Sequence, residues 1–300
     1  MQRRFAILIF AAALLSGFVP TALALPKAAD LLKAKLLADV STIEPGRPFT
    51  LGVLMKMSPK WHVYWINPGD SGLPPAIEWR LPSGFIVGEL QFPVPARIDL
   101  PGGLVNYGYL DEVLLTAKVT PPKDLAAGTS VPIDANVSFL VCNEDNCVPG
   151  EAKLHLDLTA SAATTAANEE LFKRWGARLP TSDANTSIRQ SWQATQEGNG
   201  AAVTFIVDFP ADAKAEKPEW FAAPGENLAV KNVRIDRPDK HQARVMFTLE
   251  PVAGQKLPGK ISFPAVLAYS DKGEPRGIAV PVQIDLNKTS PTADAQPAGR

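Results

Sequence analysis

The sequence predicts an all-β protein built from two antiparallel β-sandwich domains, and three observations support this. Short apolar runs alternate with polar residues at period two along most of the chain. Turn-forming segments separate these runs roughly every 8–12 residues, and the 28 prolines argue against long helices. The length of 300 residues exceeds that of one small domain and suggests about two.

Composition and charge narrow the class of function. The hydrophobic fraction of 46% is ordinary for a globular chain with a real core. The formal charge is -1 and no basic run occurs, so the sequence predicts no nucleic acid partner.

The first 24 residues have the features of a cleavable signal peptide. Arg3 and Arg4 precede an apolar run over residues 5–15, and residues 21–24 end in the small-x-small pattern that signal peptidase cleaves. We expect cleavage after Ala24, because the run is shorter than the about 20 apolar residues of a retained membrane anchor. No later segment is apolar enough to cross a membrane. The sequence therefore predicts a mature protein outside the cytoplasm with no membrane span of its own.

Residues 30–160 contain the first predicted sandwich. Its strands are predicted at 49–57, 61–66, 77–81, 85–92, 113–119, 131–141 and 153–158. Residues 67–75 are almost all turn formers and predict a loop. In the strand before this loop, Val63 and Trp65 face one side of the sheet and Tyr64 faces the other.

The remainder of the chain predicts a linker, a second sandwich and a tail. Residues 161–179 form the linker with a short helix, which Asn168 would cap ahead of an acidic first turn. Residues 180–287 form the second, smaller sandwich, with strands from about 191 and at 202–209, 228–236, 242–249, 260–269 and 278–284. Residues 288–300 are expected to be a disordered tail.

The two cysteines of the chain, Cys142 and Cys147, flank a polar turn at the end of a strand. Odd-numbered residues of 131–141 form its apolar face, so Cys142 falls on the opposite face. If residues 143–146 are the loop of a hairpin, the two cysteines face each other at its base. Opposed residues there have Cα atoms about 4.5–5.5 Å apart, which fits a disulfide.

This disulfide could be structural or redox-active, and the residues alone leave both possibilities open. Most disulfides of exported proteins are structural. However, a ring of six residues stabilises less than the about 3 kcal/mol of a fifteen-residue loop. Glu144 and Asp145 lie between the cysteines, and negative charge raises the pKa of a thiol. Such a pair suits a disulfide that a partner's thiolate attacks and that then passes its electrons on.

Four motifs, in this order, resemble the periplasmic N-terminal domain of the DsbD family, and more closely the related ScsB proteins of copper-stress systems. The motifs are WHVYWINPGDSGLP at 61–74, FPVP at 92–95, YGY at 107–109 and the cysteine segment at 141–149. The resemblance covers about residues 35–160. It implies an immunoglobulin-like fold without a bound cofactor. It also implies a cysteine pair that accepts electrons from a membrane-embedded thiol reductase and hands them to periplasmic thiol proteins.

The resemblance assigns roles to several residues. Cys142 and Cys147 would be the redox pair, with Cys147 as the first attacker of the client. Tyr64 would lie beside the site, near the acidic turn. A partner's thiolate would attack the disulfide, a mixed disulfide would form and be resolved, and the reduced pair would then reduce a client by the reverse steps.

The family also implies an aromatic cap over the disulfide. In this sequence the cap would lie in the loop of Tyr107, Gly108 and Tyr109, with one of the two tyrosines covering the pair. The sequence departs from full-length DsbD, because it has no transmembrane reductase, no thioredoxin-like domain and no Cys-x-x-Cys. Electrons would therefore come from a separate membrane partner, and the second sandwich would serve docking or spacing.

The residues are also compatible with two other classes of function. A copper(I)-binding protein would use the reduced cysteines with His62, and Met55 and Met57 are further soft ligands. Both methionines fall on the apolar face of their strand, which favours core packing, and His62 is expected to be solvated or hydrogen-bonded. A non-enzymatic interaction module would keep a permanent disulfide.

Overall fold

The computed structural model describes residues 26–182, 186–194, 200–252 and 255–290. The predicted signal peptide lies outside the described residues, as do residues 291–300 of the predicted tail. Within residues 288–290 of that tail, the Ser290 hydroxyl accepts a hydrogen bond from the Trp192 backbone N–H at 2.7 Å. The described chain is almost wholly β, with antiparallel sandwich architecture, and the predicted fold class is confirmed.

The first part of the chain forms two facing sheets. Its elements are α1 (Ala28–Leu31), β1 (Leu32–Ala38), β2 (Val40–Ile43), β3 (Phe49–Met57), β4 (His62–Gly69), β5 (Ala76–Arg80), β6 (Ile86–Val87), β7 (Ala96–Asp99), β8 (Val105–Leu110), β9 (Glu112–Thr120), β10 (Ser130–Cys142), β11 (Cys147–Ala160) and β12 (Thr165–Ala166). One sheet has the strand order β1-β3-β9-β6. The other, here called the site sheet, has the order β12-β2-β11-β10-β4-β8-β7, and β5 also pairs with β10. The short pairing of β11 with β2 is parallel.

Alternating apolar residues bury the space between these two sheets. Val53 and Met55 of β3 and Leu115 of β9 are fully buried, as is Ile133 of β10. Met57 lies in the same core. The prediction that both methionines pack in the core is therefore confirmed, and each strand contributes the face that period-two alternation selects.

The second part of the chain forms another pair of sheets after α2 (Glu169–Gly176). Its strands are β13 (Ile188–Ala194), β14 (Ala201–Asp208), β15 (Glu216–Ala222), β16 (Leu228–Asp239), β17 (Gln242–Pro251), β18 (Lys260–Asp271) and β19 (Glu274–Asp285). The strand orders are β13-β14-β17-β16 and β15-β18-β19. Phe205, Trp220 and Phe247 pack together in this core with ring centroids 5.6–6.1 Å apart, which is the range of favourable aromatic pairs.

The second pair of sheets contacts the inner face of the site sheet. The Phe221 ring packs edge-on against Trp65 at 6.1 Å and Tyr107 at 5.1 Å between centroids. Asn67 also donates a side-chain hydrogen bond to the Ala222 carbonyl at 2.5 Å. The C-terminal end of β4 thus contacts residues that are more than 150 positions away in sequence.

Several local expectations differ from the structure. The small polar segment before α2 contains β12, which pairs with β2. Asn168 precedes α2 but does not cap it with its side chain, because its amide donates to the Ala38 carbonyl at 2.8 Å. The predicted strand at 85–92 contains only β6 and one isolated bridge, from Gln91 to Thr116. Strands β7, β8 and β15 carry little alternation and were not predicted.

Candidate functional site

The two cysteines join the ends of β10 and β11 at a tight hairpin. They are directly paired in register, and their disulfide spans a Cα separation of 4.1 Å. The turn between them is fixed by Asn143, whose side-chain oxygen accepts from the backbone N–H groups of Asp145 at 3.0 Å and Asn146 at 2.7 Å. Glu144 and Asp145 are exposed in this turn. The hairpin that the spacing predicts is confirmed.

The two sulfur-bearing residues differ in exposure. Cys142 is 1% exposed, whereas Cys147 is exposed. Val141 lies in the core, so the next residue, Cys142, points to the outer face of the strand, as the alternation predicts. It is nevertheless buried, and the buried His62 of β4 lies opposite it in the register of β4 with β10.

Two aromatic side chains of β4 complete the surroundings of the disulfide. Tyr64 is fully buried, and its hydroxyl oxygen lies 3.8 Å from the Cys147 sulfur. His62 packs edge-on against Tyr64, with ring centroids 5.1 Å apart. The structure thus brings Tyr64 to the disulfide, where the sequence places it. The expectation that His62 is solvated or hydrogen-bonded is wrong: it is 2% exposed, and among the described residues its Nε2 has no hydrogen-bond partner.

Burial keeps both of these side chains neutral near pH 7. It raises the pKa of the Tyr64 hydroxyl to about 12. It also lowers the pKa of the His62 imidazole, because the charged form loses its hydration. On β4 the disulfide therefore has an uncharged hydroxyl and an uncharged imidazole as neighbours, and the acidic Glu144 and Asp145 lie exposed in the turn between the cysteines.

The loop over residues 70–75 covers Tyr64, and β4 extends through Gly69, three residues into the loop predicted at 67–75. Gly72 has φ +104, and a Cβ at this position would collide with the Tyr64 ring. Asn106 of β8 is fully buried and accepts from the Ser71 backbone and hydroxyl groups, both at 3.1 Å. Asp70 accepts from the Val105 N–H at 2.8 Å. We call this loop the lid. Its Asp-Ser-Gly sequence is the one signal that could have found it, but the same residues form ordinary turns, and only the tertiary contacts above distinguish the two.

The prediction that Tyr107 or Tyr109 caps the disulfide is wrong for this structure. Tyr109 pairs in register with the core residue Val63, so both tyrosines project to the inner face of the sheet. Tyr109 is buried there and donates its hydroxyl to the Pro93 carbonyl at 2.7 Å, and Tyr107 packs against the second sandwich. Gly108 alone lies on the outer face, opposite Tyr64.

A groove of about 440 Å³ runs beside the hairpin on the outer face. It is lined by residues of three segments: Leu73, Pro74, Ser138, Phe139, Leu140, Pro149, Gly150 and Glu151. Leu73 is 65% exposed at the tip of the loop, although it is apolar. The groove therefore places an apolar rim within a few residues of Cys147.

The described part of the chain contains no group of three or more His, Cys, Asp or Glu side chains positioned to hold a metal ion. Met55 and Met57 face the core rather than the disulfide, so the structure does not bring these two methionines to the cysteines and His62. Among the described residues, no helix is both long enough and apolar enough to cross a bilayer.

Comparisons with known proteins agree with this arrangement. Residues 28–159 match the family model described as thiol:disulfide interchange protein DsbD, N-terminal. The fold is similar to the N-terminal periplasmic domain of ScsB from Proteus mirabilis, with a TM-score of 0.61 and 17% identity over 88% of this chain and 96% of that one.

Other matches are more distant. A conserved domain protein from Bacillus anthracis matches with a TM-score of 0.23 and 9% identity, over 85% of this chain and 87% of that one. The major pilin subunit BcpA of Bacillus cereus matches with a TM-score of 0.26 and 12% identity, over 86% of this chain and 67% of that one. No curated protein matches. Residues 28–159 therefore form a DsbD N-terminal domain, within a chain whose fold is similar to that of the N-terminal periplasmic domain of ScsB.

Proposed function

We propose that this protein is a periplasmic thiol–disulfide exchange protein that carries electrons through the Cys142–Cys147 pair. The observation that supports it most strongly is the asymmetry of the disulfide. Cys147 is exposed to an incoming thiolate, whereas Cys142 is buried beside His62. A disulfide that serves stability alone gains nothing from one accessible sulfur, but exchange requires it.

In the electron-accepting step, a thiolate of the donor attacks the Cys147 sulfur. The bond to Cys142 breaks, and its electron pair leaves with Cys142 as a thiolate. A second thiolate of the donor then attacks the donor's own sulfur in the mixed disulfide, which releases Cys147 and leaves the donor oxidised. The pair has then gained two electrons and, from water, the protons that its thiols retain.

In the electron-donating step, the same sulfurs act in the reverse order. The exposed Cys147 thiolate attacks a client disulfide and releases one client thiolate. Cys142 then attacks the Cys147 sulfur, which restores the intramolecular disulfide and releases the second client thiolate. Because Cys147 makes every intermolecular bond, only this sulfur has to be reached from outside.

The family match also suggests the partners and the compartment. The electron donor would be a membrane-embedded thiol reductase, and the clients would be periplasmic thiol or disulfide proteins. Export would follow from the signal peptide that the sequence predicts. The groove beside the hairpin, with the exposed Leu73 on its rim, provides an apolar surface next to the reacting sulfur.

The second sandwich, which we place at residues 180–287, would support the site rather than take part in exchange. It carries no cysteine. Its Phe221 packs beneath Trp65, and Ala222 accepts from Asn67. These contacts hold the end of β4 from which the lid loop over Tyr64 departs, so the second sandwich would fix the lid as well as space the domain.

A trapping experiment tests the assignment of the two sulfurs. Purified Cys142→Ser protein should form a stable mixed disulfide when it is mixed with oxidised glutathione, seen as one added glutathione by mass. Cys147→Ser should react far more slowly, because its remaining thiol is buried. Equal rates for the two variants would contradict the assignment. Wild-type protein should also pass electrons from dithiothreitol to a disulfide-bonded peptide, and failure to do so would refute the exchange function.

A further inference from the structure

His62 and Cys142 are neighbours across two strands. They are directly paired in the register of β4 with β10. Directly opposed residues of an antiparallel pair place their side chains on one face, with Cβ atoms about 4.5–5.5 Å apart. The imidazole and the sulfur of Cys142 therefore share the outer face of the site sheet at close range.

The imidazole has an unmet hydrogen-bonding group. His62 is 2% exposed, and its Nε2 is buried with no hydrogen-bond partner in the described part of the chain. Buried polar atoms normally have a partner, so an exception requires a reason. In the oxidised protein the neighbouring sulfur is part of the disulfide and is only a weak acceptor. Reduction turns the same sulfur into a thiolate, which accepts strongly.

The other sulfur already has a polar neighbour. The Tyr64 hydroxyl lies 3.8 Å from Cys147. His62 packs against the same Tyr64 ring. Each cysteine thus has one polar neighbour from β4. The Tyr64 hydroxyl lies beside Cys147, and the His62 imidazole lies beside Cys142.

Among the described residues, no charged side chain forms a hydrogen bond with the Nε2 of His62. Within the sheet His62 faces Cys142 on β10 and Leu110 on β8, and Tyr64 is its neighbour on β4. The charged residues at the adjoining strand ends and in the hairpin turn, Lys60, Asp111, Glu144 and Asp145, are all exposed. Burial is the only cause that shifts the pKa of His62, and it lowers it, so the ring is neutral and has one N–H to donate.

We propose that His62 is a positioning residue of the exchange site, whose imidazole N–H donates a hydrogen bond to the Cys142 thiolate that forms on reduction. This inference rests on the exchange function proposed above. When an external thiolate attacks Cys147, the electron pair of the broken S–S bond passes to the Cys142 sulfur. The His62 N–H stabilises that charge without giving up its proton. Cys142 is thereby a better leaving group, and the dithiol state is favoured.

Substitution of His62 tests this directly on the isolated protein. His62→Leu and His62→Met remove the donor, and His62→Gln keeps an N–H donor. We expect the equilibrium constant for reduction by dithiothreitol to fall about tenfold in the first two variants, which is about 30 mV in reduction potential for a two-electron couple. His62→Gln should restore it to within about threefold. The pH profile of thiol alkylation should move to higher pH in the Leu and Met variants only.

A matched control is His155→Gln, which changes a histidine of the same face far from the disulfide and should leave the potential unchanged. An unchanged potential and alkylation profile in folded His62→Leu or His62→Met protein would overturn the inference. An absent difference in reduction potential between the variants and the wild type is distinct from failure of the proposed function, because this assay needs no protein partner. A protein that shows the shift but exchanges with no client would retain this role for His62 and lose the function.

Discussion

The β10–β11 ribbon has two ends on the outer face of the site sheet, and they are built differently. At the far end, His155 pairs with Asp134 in register and lies between Asp134 at 2.7 Å and Asp157 at 3.1 Å. These side chains are more than half exposed. At the hairpin end, Cys142 and His62 are almost fully buried.

The difference comes from what covers each end. The far end pairs with β5, which leaves the outer face to solvent, and charged residues occupy it. The hairpin end pairs with β4, and the loop of Gly72 lies over Tyr64. The same alternation therefore gives a solvated, charged surface at one end and, at the other, a buried Cys142 with the buried His62 and Tyr64 beside it. Cys147 of the same disulfide is exposed to solvent.

The largest expected effect comes from opening the lid. Gly72→Ala combines a left-handed φ with a collision against the Tyr64 ring, so the loop should move away from the hairpin. We expect a stability loss of about 1–3 kcal/mol and a several-fold faster reduction of the disulfide by glutathione. Urea unfolding and stopped-flow reduction measure the two effects.

Gly128→Ala is the matched control, because Gly128 also has a left-handed φ of +81 but nothing lies within 4 Å of its added Cβ. It should lose about 1 kcal/mol without any change in the reduction rate. If Gly128→Ala and Gly72→Ala reduced at the same rate, the loop would not be a lid.

A smaller effect is expected from the hydroxyl beside Cys147. Tyr64→Phe removes the group at 3.8 Å from the sulfur and keeps the ring in place. Because the pKa of this hydroxyl is about 12, it remains protonated over the working range and can donate to a thiolate. We expect a few-fold slower alkylation of reduced Cys147 by iodoacetamide at pH 7, with a stability change within about 1 kcal/mol.

The corresponding change on the inner face is Tyr109→Phe. Its hydroxyl is bonded to the Pro93 carbonyl, so this variant should lose stability but keep the alkylation rate. An alkylation rate in Tyr64→Phe equal to that of the wild type would remove Tyr64 from the site.

The smallest effect separates the two histidines by pH. The carboxylates of Asp134 and Asp157 raise the pKa of His155, so its stabilisation is present below the unfolded value of about 6.5 and is lost as the pH rises through the folded value. Burial lowers the pKa of His62, so stability is lost as the pH falls below about 6.5 toward the folded value. The free energy of unfolding should be measured in urea from pH 5 to 8 for the wild type and both variants. His155→Gln should remove a contribution that falls as the pH rises, and His62→Gln should remove one that falls as the pH decreases. Slopes of one sign for both would contradict the contrast between the two ends.

The sequence predicted much of this arrangement because alternation is a local property. The face of Cys142, the hairpin at the cysteines and the core positions of Met55 and Met57 all follow from period two and turn chemistry. The burial of His62 does not follow from these local rules, because it depends on the tertiary pairing of β4 with β10. Tyr107 and Tyr109 were misplaced because the sequence does not reveal that β8 pairs with β4 in the register that turns both rings inward.

The reduction potential of the Cys142–Cys147 pair tests the central claim most directly. Purified mature protein would be equilibrated in glutathione or dithiothreitol buffers, and its free thiols counted by alkylation and mass. The exchange function predicts a value between about -270 and -180 mV, the range of known exchange proteins. A value well below about -300 mV would mark a structural bridge that the glutathione pool does not reduce, and would contradict it.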